Sequence, residues 1–93
     1  MVIGLLTATI TLPDSRSLKD KRSVLRSLRD RVLNHHNVSV AEVGRQDLWQ
    51  AADLAFVTVA AEGEVVEKRL SALSELLRSS PLFVLTRLET ERL

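Results

Sequence analysis

Ninety-three residues with 45% hydrophobic content are enough for one small domain around a single core. The absence of cysteine excludes disulfides, thiolate catalysis and Cys-based zinc or iron–sulfur sites, and no run of about 18 apolar residues is present to span a membrane. The net charge of +1 hides an asymmetry: seven basic residues between Arg16 and Arg31 stand against only Asp20 and Asp30, so this stretch is net +5 and the remainder −4.

The chain opens directly into strand-like sequence, with no basic leader and no small-residue cleavage site; a signal peptide is not expected, and the cytoplasm is the expected compartment. Residues 2–12 place Leu6, Ala8, Ile10 and Leu12 on one face and Thr7, Thr9 and Thr11 on the other, which predicts a strand stopped by Pro13. After the loop PDSRS, Ser17 and Asp20 have the spacing of a capping box. They open a helix expected over 18–35, with Leu18, Val24, Leu25, Leu28 and Val32 in one apolar arc. Lys19, Arg22, Arg26 and Arg29 follow at intervals of 3, 4 and 3 in an adjoining arc. His35 and His36 lie near the helix C-terminus, and Asn37 suits a left-handed exit.

A short strand over 38–43, a connection over 44–52 and a third strand over 54–61 come next. The second helix starts near Gly63 or Glu64 and ends before Ser80-Pro81, with Val66, Leu70, Leu73 and Leu77 as its buried stripe. Residues 82–90 form the last strand. This β-α-β-β-α-β order, without break or repeat, is that of a ferredoxin-like split βαβ sandwich: α+β, a four-stranded antiparallel sheet with two helices on one face, and one domain over 1–93. The expected core is Leu6, Ala8, Ile10, Val24, Leu28, Val32, Val57, Val59, Leu70, Leu73 and Leu77. The uncovered sheet face would then carry Ile3, Leu5, Leu54 and Phe56 beside the threonines, an apolar patch that predicts a homodimer.

Three stretches are more specific than their composition: Ser17-Leu18-Lys19 followed by Lys21-Arg22, then Val40-Ala41-Glu42-Val43, then Gln46-Asp47-Leu48-Trp49. In this order, with LPDSRSLK ahead of them, they make the whole chain resemble the YlxP-like family of small bacterial proteins of unknown function. The resemblance implies a ferredoxin-like fold and genes placed among those for translation initiation and ribosome maturation. It implies no reaction, ligand or catalytic residue, so no active site carries over.

The basic helix reads in two ways. It is either the solvated back of a core helix or a row of phosphate contacts formed by Arg16, Lys19, Lys21, Arg22, Arg26 and Arg29. No acid interleaves the stripe, and Lys19 and Lys21 crowd a helix N-terminus, where cations oppose the macrodipole. RNA or a ribosomal particle is the expected partner, docked by its backbone with little base readout. An acidic protein surface is the alternative. Only Trp49, Phe56 and Phe83 are aromatic, and the strands lack the aromatic signature of sheet-face RNA readers. In the loop, Gln46, Trp49 and Gln50 are candidate contacts; alternatively Trp49 folds back to plug the core, or packs against another subunit.

Catalysis has little support. Adjacent His35 and His36 diverge by about 100° on a helix and cannot share a metal. No Gly-rich phosphate loop is present, and neither a metal nor a cofactor is expected. The poorest alternative is a small-anion or acyl-phosphate enzyme: acylphosphatases of this fold hold phosphate in a Gly-rich first loop ending in Arg, whereas PDSRS has the Arg without the glycines.

Overall fold

The alternation of the first strand organises the sheet. A computed structural model of the chain, describing residues 1–93, places the elements as β1 (Val2–Thr11), α1 (Leu18–His35), β2 (Ser39–Gly44), β3 (Ala51–Ala60), α2 (Gly63–Ser79) and β4 (Val84–Arg92). β1 is a central strand, antiparallel to both β3 and β4, and β2 adds to β3, giving the sheet order β2-β3-β1-β4. This is the ferredoxin-like α+β arrangement expected from the element order. No helix is long and apolar enough to cross a membrane.

The helix-covered face buries Leu6, Ala8, Ile10 and Leu12 of β1 with Ala52, Leu54 and Phe56 of β3. From α2 come Val66, Leu70, Leu73 and Leu77, and from α1 Leu28 and Val32, all in one cluster. At Gly4 α2 packs close against the sheet: a Cβ there would meet Val66 Cγ1 at 2.5 Å and Leu70 Cδ1 at 3.1 Å, so a larger residue would displace these side chains.

The phase of β3 is opposite to the one expected. Val57 and Val59 are 40% and 55% exposed on the open face, whereas Leu54 and Phe56 are buried. The cause is Asp53, whose carboxylate accepts from Thr9 Oγ1 at 2.8 Å and pairs with Arg45 at 3.3 Å on the open side. With Asp53 outward, Ala55, Val57 and Val59 must follow it. The polar residue that this phase turns inward, Thr58, is satisfied: its hydroxyl donates to Asn37 O at 2.8 Å and accepts from Arg69 at 2.9 Å.

Candidate functional site

The capping box forms as read. Asp20 N–H donates to Ser17 Oγ at 3.0 Å, and the Asp20 carboxylate reaches back to Arg16 N–H at 2.9 Å. The far end differs. His36 closes α1 in an extended conformation, its N–H bonded to Val32 O at 2.8 Å, and Asn37 is not left-handed. Burial, then the charges of His35 and Arg31, push the His36 imidazole below its ordinary 6.5.

Lys21 is the principal correction. Its side chain is 1% exposed, so it is not available to a phosphate. Lying three residues after Leu18 and three before Val24, it falls within the apolar arc and points inward. There its ammonium donates to Arg45 O at 2.8 Å and Leu48 O at 2.7 Å, and pairs with Glu42 Oε2 at 2.7 Å. Two hydrogen bonds to carbonyls and one close carboxylate surround the ammonium and offset its desolvation. Two of those oxygens are carbonyls of the loop between β2 and β3. The SLKDKR and QDLW stretches, separate in sequence, are therefore one packed unit.

Outside that unit the cations are free. Lys19, Arg22, Arg26 and Arg29 are exposed along one side of α1, and none has an acidic group within 4.0 Å, the five ion pairs of the chain all lying elsewhere. Even Asp30, one helical turn beyond Arg26, does not reach it. Arg16 is exposed and unpaired as well. Lys19, Arg22, Ser23 and Arg26, none of them a hydrophobic residue, line one hollow. Towards β2, an edge strand, Arg22, Arg26 and Arg29 line a groove of about 330 Å³ together with Leu25, Leu28, Val40, Leu54 and the Lys21-paired Glu42.

The loop is held tightly. Arg45 takes a left-handed conformation with φ 57, and its carbonyl also accepts from Leu48 N–H at 3.0 Å. The Gln46 amide donates to Glu42 O at 3.1 Å, and the Gln50 amide to Pro13 O at 3.3 Å and Ser15 O at 3.0 Å. Both glutamines thus brace the loop while remaining exposed. Trp49, by contrast, does not fold back over the core: it is 54% exposed. The burial of Lys21 was legible in its arc position. Its partners were not, since they lie on a strand and a loop more than 20 residues on.

The class defined so far is a ferredoxin-like α+β domain with an unneutralised basic helix face and a braced loop displaying an indole. The chain belongs to the family described as a protein of unknown function (DUF503), whose model matches residues 3–90. It is 34% identical over 90 residues to the uncharacterized protein YlxP of Bacillus subtilis (strain 168), across 97% of this chain and 98% of that one.

Proposed function

We propose that this is a cytoplasmic, non-catalytic domain that docks structured RNA, free or in a ribosomal particle, through phosphates laid along α1. The observation that carries this is the row Lys19, Arg22, Arg26 and Arg29, exposed and without acidic partners. The row is about 15 Å long at the helical rise, enough to meet several successive phosphates, and counterions released from them drive association. A non-catalytic role is supported by the 13–17 loop. Ser15 N–H bonds Leu12 O at 3.1 Å and Arg16 N–H bonds the Asp20 carboxylate, so these amides close on the protein and a carboxylate occupies the place a phosphate would need.

Self-association belongs to the same proposal. The open sheet face is apolar at one end, where Ile3 and Leu5 of β1 oppose Val59 and Val57 of β3. Pairing of two copies there leaves both α1 helices facing solvent, and sedimentation that shows only monomer at high micromolar protein removes this part.

The test is recovery of tagged protein with its native partners, with and without nuclease, alongside the Arg22→Glu/Arg26→Glu variant. RNA docking predicts that nuclease and the charge reversals each release the protein from RNA or ribosomal particles. A complex that survives nuclease but is broken by the reversals transfers the stripe to an acidic protein partner. A variant that binds whatever the wild type binds leaves the stripe as a solvated face.

A further inference from the structure

The backbone on both sides of Trp49 is fixed, and the indole is left outside. Leu48 O accepts from Lys21 Nζ at 2.7 Å, Gln50 O accepts from Leu12 N–H at 2.9 Å, and the Arg45–Leu48 turn closes at 3.0 Å. A large aromatic ring is ordinarily among the more deeply covered side chains. Here the two phenylalanines, Phe56 and Phe83, are buried, so the chain's single Trp is its one exposed aromatic surface. Holding such a ring on a braced loop lowers the ordering cost of binding something flat against it.

The surroundings select the ligand. Lys21, bonded to Leu48 O, ties the first turns of α1 directly to this loop. Arg16, just ahead of α1, and Lys19 in its first turn are therefore at the same end of the molecule as Trp49. Trp49 lines a shallow hollow together with Asp47, Thr11, Leu48 and Gln50.

We infer that Trp49 is a stacking platform for one unpaired nucleobase of an RNA whose phosphates lie along α1, an inference that rests on the RNA reading above. The indole face carries the negative side of a quadrupole, and Asp47 adds a full negative charge, so a phosphate is disfavoured over the ring. A neutral base stacks there without that penalty, and its flanking phosphates fall to Arg16 and Lys19, which have no acidic partner. The favoured substrate is thus a duplex with an unpaired end: the paired part supplies a regular phosphate line for the helix, and the overhang supplies the base.

Because the chain has one Trp, its emission reports on this ring alone. The protein is titrated with a blunt RNA duplex and with the same duplex carrying an oligouridylate overhang. The overhang should quench Trp49 and bind about 5-fold to about 150-fold more tightly than the blunt duplex, the range of one stacked base. Trp49→Ala, with an unchanged circular dichroism spectrum, should lose that preference, and Trp49→Phe should keep most of it. Equal affinity for the two RNAs with unmoved emission overturns the platform and leaves phosphate docking standing. Failure to bind either RNA overturns both. A blue shift that grows with protein concentration in the absence of RNA assigns Trp49 to contact between copies and overturns the platform as well.

Discussion

Lys21 and Arg22 are neighbours in the chain and opposite in fate. Lys21 is 1% exposed, with all three of its ammonium contacts inside the protein, whereas Arg22 is exposed with no acidic partner. One step of about 100° around a helix separates them. A basic cluster counted along a sequence is therefore not a basic surface. Part of this one holds the fold, and the rest is available to a ligand.

The largest expected effect lies on the buried side. Lys21→Met keeps the stem and removes the charge, leaving the Glu42 carboxylate and Leu48 O without the ammonium. We expect a loss of about 3–5 kcal/mol in denaturant unfolding. A loss of less than about 1 kcal/mol would show that the contact network adds nothing beyond packing.

Next comes the apolar side of the same helix. Leu28→Ala should cost about 2–5 kcal/mol, as should Leu73→Ala in α2, since both are buried in the one core cluster. If either is tolerated at full stability, the helix has another face against the sheet.

On the exposed side, Arg22→Ala and Arg26→Ala should each change stability by no more than about 0.5 kcal/mol, while weakening RNA association. A loss comparable to that of Lys21→Met would place these arginines in the fold and not in a binding surface.

The smallest effect is at the end of α1. The folded-state pKa of His36 is depressed below 6.5, so near and below that pH the unfolded chain binds the extra proton more readily. Stability should therefore rise as pH climbs towards 6.5 and level off above it. His36→Asn should flatten that slope, and an unchanged pH profile in the variant would remove His36 as its source.

Much of this architecture was legible because local signals agreed. Alternation in 6–12, the Ser17–Asp20 box and the Val66–Leu77 stripe each pointed to one solution, and each is present. β3 was misphased because apolar residues populate both of its faces, Ala52, Leu54 and Phe56 on one and Ala55, Val57 and Val59 on the other, so alternation carried no sign; the lone carboxylate of Asp53 was the signal that fixed it. The exposed stripe was legible as a helical arc. Lys21 was grouped with it because local charge density says nothing about direction, and the oxygens that bury it come from Glu42, Arg45 and Leu48, which only the folded chain brings near. The glutamines have a second use that spacing alone does not reveal: their amides bond to backbone carbonyls of neighbouring turns.

The central claim is that the free cations of α1 neutralise phosphates, and the salt dependence of binding tests it most directly. With three or four contacts, a plot of log affinity for an RNA duplex against log salt concentration should have a slope of roughly −3. In Arg22→Glu/Arg26→Glu, folded to the same spectrum, measurable binding should disappear. A wild-type slope near zero, or a double variant that binds with the wild-type slope, would contradict the account.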